Sequence, residues 1–438
     1  MGDDVDDAAE TASMTQVSAQ LQHVIAAAVE QHRDEALRLL QALVRVPSLE
    51  GNEQPCQDIL EATMRGMGLA VDRWCPSDDE LRAHPAYVPT GKSYADRPNT
   101  VGVLRGAGGG RSLILNGHVD VVPTGPEHLW QHGAWSGAYL DGRVYGRGSA
   151  DMKGGVVANI LTVLALQTAG IRLQGDVIIE NVVDEEAGGN GTLAAVLRGY
   201  TGDACIFTEP TGLTRLAISN RGAQFFRITV PGQEGGIEFK HQLVNPISKA
   251  VEVFHAVEAY SIMRESVARH PLYDNAYHTK VPTGICRFNA GEWPSTVASQ
   301  AVMEGSIECL PGESIHEVKA AFKRYLEEWS AKDGWFKDHP LQVEWFGLWF
   351  DAAEIAPDHP LVTTLAATAE GVTGQPVTIT GAGGCDLRLP VLYGSTPAVL
   401  FGPKGGMLHS TDEYIEFEQV LMCARVLAHM AAAWCGQA

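Results

Sequence analysis

The chain is poor in positive charge: 32 lysines and arginines face 53 aspartates and glutamates, for a formal net charge of −21. Binding to nucleic acid or an anionic membrane surface needs a basic footprint, so neither partner is expected. Long apolar runs are also missing, and no window approaches the roughly 18 residues of a membrane-spanning helix. The eight cysteines (56, 75, 205, 286, 309, 385, 423 and 435) stand apart without CxxC spacing. That scatter argues against a disulfide framework or a cysteine zinc site, and for a reduced, cytoplasmic protein. Neither G-x-G-x-x-G after a strand nor G-x-x-x-x-G-K-[ST] is found, and GRGSAD is not G-x-S-x-G, so Ser149 is not expected to be a nucleophile.

A length of 438 residues suggests two or three domains. Residues 1–20 read as a disordered acidic tail. Helical apolar spacing over 24–46 leads into TVGVLRG, RSLILNGHVD, a helix near 154–169, DVIIENVVDEE and ACIFTEP. Strands alternating with helices predict an α/β domain with a mostly parallel sheet. Near 217 the order becomes strand, helix, strand, strand, helix, strand, the βαββαβ pattern of a ferredoxin-like unit. From 347 the α/β pattern returns, with a helix near 359–372, PVTIT, PAVLFG and a long helix from about 412. The domains are therefore 21–216 with 347–438, interrupted by an insertion at 217–346.

Cation-binding or proton-moving residues gather at the ends of the predicted core strands. SLILNGHVD ends in His118 and Asp120, and GRGSADMKGG places Asp151 just before a helix. DVIIENVVDEE ends in Glu185 and Glu186, ACIFTEP in Glu209, and His409 follows PAVLFG in MLHSTDEY. Taken singly these are ordinary features: a structural histidine, solvated glutamates, a glycine-rich turn. Together, in one order at the carboxyl ends of strands in one α/β sheet, they border the crevice where ligands bind. Such a crowd of acids and imidazoles is unstable unless protons or cations neutralise it, and two divalent ions would do so. Asp151 is expected to bridge ions about 3.5–4 Å apart. One would also take His118 and Glu209, the other Glu186 and His409. Nitrogen and oxygen donors suit zinc, with cobalt or manganese as alternatives. Asp120 is expected to accept the second ring N–H of His118. The doubled glutamate then divides its work: Glu186 binds metal, while Glu185 takes a proton from water and passes it to the leaving amine.

LNGHVDVVP, YGRGSADMKGG, VVDEEAGG, FTEP and LHSTDEY resemble, in order, the signatures of the co-catalytic metallopeptidases. That family includes glutamate carboxypeptidase, acetylornithine deacetylase, succinyl-diaminopimelate desuccinylase and aminoacylase. The resemblance runs from about residue 30 to the C-terminus. It implies a zinc-exopeptidase-like catalytic domain, the same metal and base roles, and an inserted lid that joins two chains as a homodimer. It also makes Arg388, in GAGGCDLRLP, a candidate for holding a substrate carboxylate or other polar group. The lid departs from the family pattern. Gly236 stands where a histidine is usual, with His241 five residues on as a candidate substitute, and Ser295 and Cys309 replace an asparagine and an arginine. Residues 74–99 resemble an insertion in a branch that includes a formylaminopyrimidine deformylase. The implied reaction is removal of an acyl group from a small N-acyl amine or N-acyl amino acid. Deformylation of an aromatic or heterocyclic amine, and carboxypeptidase or dipeptidase action, are the alternatives on the same site.

Overall fold

The computed structural model describes residues 19–438. The expected tail falls outside them except for 19 and 20, which already open a helix over 19–31. The apolar spacing read over 24–46 becomes that helix and a second one, Arg33–Val44, whose buried face is Ala36, Leu40, Leu43 and Val44.

Nine strands form the larger sheet. At its centre Val177–Val182, Leu113–His118, Cys205–Phe207 and Ala398–Leu400 lie side by side and parallel, so their carboxyl ends share one edge. Outside this centre the pairing changes. Asn99–Leu104 lies antiparallel between Val177–Val182 and Ala70–Trp74. On the other flank Arg215–Asn220 meets Ala398–Leu400 and Ala353–Glu354 antiparallel, and Thr378–Ala382 parallel. The sheet is thus mixed rather than mostly parallel. Antiparallel neighbours need no helical crossover, so loops alone can add flanking strands, and an apolar run in the sequence carries no record of strand direction. Helix Gly154–Thr168 is buried on nearly all sides and packs on Phe417–Cys435, which accounts for its lack of a polar face.

The inserted stretch folds on its own core, which includes Phe226, Ile228, Val253, Val257, Phe322 and Leu326. Its four long strands form one antiparallel sheet in the order Thr283–Ala290, Gln300–Cys309, Gly222–Pro231, Gln342–Phe350, with helices Pro246–Val267 and Ile315–Ser330 between them in the chain. The crossing points differ from 217 and 346. Arg215–Asn220 still pairs in the larger sheet and Gln342–Phe350 in the smaller one, so the chain crosses at Arg221 and returns at 351–352. The two strands follow one another with only Arg221 between them, so the exact crossing is revealed by pairing alone. The last helix starts at Phe417, not near 412, because Asp412 adopts left-handed backbone with φ 57° and Tyr414–Glu416 forms a strand paired with Arg143–Tyr145.

Candidate active site

The parallel centre of the larger sheet brings the expected side chains to one edge. His118 ends its strand, Glu185 and Glu186 occupy the turn after Val177–Val182, Glu209 follows Cys205–Phe207, and the loop beyond Ala398–Leu400 carries His409. Because the two glutamates lie in a turn, they escape the strand geometry that would send neighbours to opposite faces. Asp151 sits between the imidazoles, with Oδ1 3.1 Å from Nε2 of His118 and Oδ2 3.3 Å from Nε2 of His409. Glu209 Oε1 lies 3.9 Å from the His118 nitrogen, and Glu186 Oε1 3.3 Å from that of His409. Each oxygen of the shared carboxylate therefore faces one imidazole, backed by one glutamate. Ligand atoms of His118, Asp151 and Glu186 all fall within 4.8 Å of one another, close enough to share a cation.

Among the described residues, Asp151, Glu186 and Glu209 form ion pairs with histidine and none with lysine or arginine. Burial, reinforced by Asp151, pushes the Glu209 carboxyl well above its ordinary range, and burial with the charge of Asp386 does the same to Glu185. Burial pulls the His118 imidazole down, but its hydrogen bond to Asp151 and the surrounding acids lift it well above the usual value. Hydrogen bonds to Asp151 and Glu186 raise His409 to about 10. Burial opposes the charge on Asp151, yet its bonds from His118 and His409 hold the carboxyl below the usual range. A pocket that relieves its own charge only by gathering protons is one a divalent cation would neutralise. Its mixed nitrogen and oxygen donors are of the kind zinc, cobalt or manganese accepts, so the residues fit two such ions.

Neighbouring groups hold these donors in place. The Nδ1–H of His118 is directed at the main-chain oxygen of Asp120 at 2.9 Å, whereas the Asp120 carboxylate is 3.6 Å away. This corrects the expectation that the Asp120 side chain accepts the ring proton. That carboxylate is taken by two stronger claimants, the amides of Glu185 and Glu186, at 3.2 and 3.1 Å. Glu413 was not singled out from the sequence. It is fully buried and accepts bonds from the amides of Gly148, Ala150 and Asp151 at 3.1, 3.0 and 3.1 Å and from Arg147 at 2.6 Å, fixing the turn that presents Asp151. Both partners lie inside YGRGSADMKGG and LHSTDEY, so the signal was a charged residue within each motif; the contact joining them is tertiary. At Gly155 a Cβ would lie 2.1 Å from the Thr208 carbonyl oxygen, so only glycine lets this helix approach the strand end bearing Glu209.

The remaining candidates fall elsewhere. Arg388 is 3% exposed; it donates to the Cys385 and Gly188 carbonyls at 2.8 Å each, with Phe350 under its guanidinium. It is not a surface arginine: two of its five N–H donors are taken by backbone carbonyls, and its Nη1 lies 3.7 Å from Asp386 Oδ1. His241 is exposed and contacts the Gln242 side chain, away from the acid cluster within this chain. Gly236 pairs with Thr296, next to Ser295, so these two departures from the family pattern lie side by side.

Residues 114–433 match the sequence pattern of Peptidase family M20/M25/M40. The N-formyl-4-amino-5-aminomethyl-2-methylpyrimidine deformylase of Bacillus subtilis (strain 168) is 26% identical over 442 residues, covering 93% of this chain and 96% of that protein. Succinyl-diaminopimelate desuccinylase of Methylobacterium radiotolerans is 30% identical over 393 residues, covering 87% and 92%. Human carnosine dipeptidase 1 shares the fold, with a TM-score of 0.76 at 17% identity and coverage of 95% and 99%. The match across more than half the chain, joined to the acid and imidazole cluster at the sheet edge, shows that this chain belongs to peptidase family M20/M25/M40 and is a metal-dependent hydrolase of amide bonds.

Proposed function

We propose that the protein removes a formyl or other short acyl group from a small amine that carries no carboxylate, an aromatic or heterocyclic amine fitting best. The observation that carries this reading is the committed state of Arg388, whose guanidinium is spent on two backbone carbonyls beside the glutamate turn. Where the family resemblance leads one to expect an arginine, this chain has the buried thiol of Cys309. An N-acyl amino acid would bring a carboxylate to an acid-rich pocket whose Arg388 guanidinium already faces Asp386 and two backbone carbonyls. The Bacillus subtilis relative, named for a formylated aminopyrimidine, points the same way.

His118, Asp151 and Glu209 would hold one divalent ion and His409, Asp151 and Glu186 the other, zinc or else cobalt or manganese. When bound, such ions polarise an amide carbonyl and make water acidic. Glu185 would accept the proton of the attacking water on a carboxylate oxygen and deliver it to the departing nitrogen, so that the amine leaves neutral. Asp120 holds the amides of both glutamates, and Glu413 holds the Asp151 turn. The smaller unit is read as a ferredoxin-like lid that also joins two copies. Support comes from the exposed Ile247, Val251 and Ile262 along Pro246–Val267 and from the outer strand Thr283–Ala290. Free thiols at all eight cysteines suit a cytoplasmic setting.

The test is a panel assayed with metal-reconstituted protein: formylated and acetylated aryl amines, N-acetyl amino acids, and dipeptides. Turnover of the aryl amides at least about tenfold above the amino-acid amides is expected. The opposite preference would overturn the substrate assignment.

A further inference from the structure

Residues between Trp74 and Asn99 lie outside the reaction just described, yet they close on its glutamates. We propose that Tyr94 and Arg97, from this segment, are positioning residues that set the Glu185–Glu186 turn; the inference rests on the roles given to those glutamates above.

Tyr94 is fully buried and Arg97 is 2% exposed. Arg97 Nη2 donates to Glu53 Oε1 and to Asp184 Oδ1, both at 2.6 Å, and its Nε lies 3.0 and 3.1 Å from the two Glu53 oxygens. The Tyr94 hydroxyl donates to the other Asp184 oxygen at 2.6 Å. Asn190 Nδ2 reaches that same oxygen at 3.1 Å and the Tyr94 hydroxyl at 2.6 Å. Asp184, the residue before Glu185, is thereby held at a φ of 71°, where side chains other than glycine are rarely found.

The segment is itself anchored. Val88 N–H donates to Asn190 Oδ1 at 3.1 Å and the Val88 carbonyl accepts from Asn190 Nδ2 at 2.7 Å. Trp349, on the strand returning from the smaller sheet, donates to the Tyr87 carbonyl at 3.1 Å. Gly188 passes so near that a Cβ there would lie 2.6 Å from the Val88 side chain. Asp120 takes both glutamate amides, so the turn is gripped by the 74–99 segment through Asp184 and by the neighbouring strand end through Asp120. Tyr94 and Arg97 act through Asp184 rather than on the reacting atoms.

Tyr94→Phe deletes one hydroxyl and keeps the ring. Outer partners of ligating groups typically govern affinity or rate by 10–100-fold, so zinc affinity, read by competition with a chromophoric chelator, should weaken about tenfold. The kcat should fall by a similar factor with KM within about twofold. Ser93→Ala is the control: it removes the 2.7 Å bond to Asp78 in the same segment without touching Asp184. It should leave zinc affinity and kcat at wild-type values. Arg97→Lys, which keeps a cation between Glu53 and Asp184, should retain more zinc affinity than Arg97→Gln. Zinc affinity and kcat of Tyr94→Phe within about twofold of wild type would overturn the proposal, as would equal losses in Ser93→Ala. If Tyr94→Phe does not fold, equal zinc affinity in the two Arg97 variants overturns it. Wild-type protein that binds no zinc would instead sink the functional reading on which the proposal stands.

Discussion

At the carboxyl edge of the larger sheet, Asp151, Glu186 and Glu209 share two imidazoles; at the edge where the strands begin, acids have partners of their own. There Asp72 accepts from Arg198 at 2.7 and 3.0 Å and from Tyr200 at 2.8 Å. Asp176 accepts from Arg105 at 2.6 Å and the Gly106 amide at 2.8 Å, and Asp203 from the Ser112 amide and hydroxyl at 2.7 and 2.9 Å. The strand-start edge also borders a hollow of about 700 Å³, lined by these three acids among others. Acids whose charge is already answered serve the architecture, whereas acids crowded together with two histidines are poised for a ligand.

Three substitutions probe the contrast. Glu185→Gln should lower hydrolysis by about 10²–10⁴-fold while zinc content stays that of wild type; retained turnover would remove Glu185 as the proton carrier. Glu180 tests the middle of the sheet, where one carboxylate oxygen accepts from Asn116 at 2.8 Å and the other is buried without a partner. Burial raises its carboxyl from 4.5 to about 7 in the folded chain. The native state therefore keeps a proton that the unfolded chain has lost, and stability falls as pH rises from about 4.5 through about 7. Glu180→Gln lacks that loss, so it should be more stable than wild type by up to about 3 kcal/mol at pH 8, with the gap closing toward pH 4. Denaturant titrations at the two pH values decide the matter; a pH-independent difference would contradict it. The smallest effect is expected at the strand-start edge. Asp72→Asn breaks a partly exposed ion pair and should cost within about 1 kcal/mol, with kcat unchanged. A large loss of turnover there would erase the distinction between the two edges.

Much of the catalytic edge was legible because each donor stands at a strand end or in a glycine-rich turn, where a linear pattern already marks proximity to a crevice. His118, Asp151, Glu186 and His409 meet within 3.3 Å contacts as their order suggested, with Glu209 slightly further out. The hand-off at Asp120 was not legible, since choosing between a carbonyl and a carboxylate 0.7 Å farther away requires coordinates. The surroundings of Arg388 were not legible for a related reason. An arginine in a glycine-rich loop gives no local sign that it will be buried and bonded to the carbonyls of Cys385 and Gly188.

Sequence by itself determined which chemical groups were available and where strands and helices alternate, because residue type and apolar period are local properties. Tertiary structure alone decided strand direction at the flanks, the crossing at Arg221, and the grips of Glu413 and Arg97. Each of those depends on which distant partner wins a hydrogen bond or a place in the sheet, and that competition is settled only when the whole chain has packed.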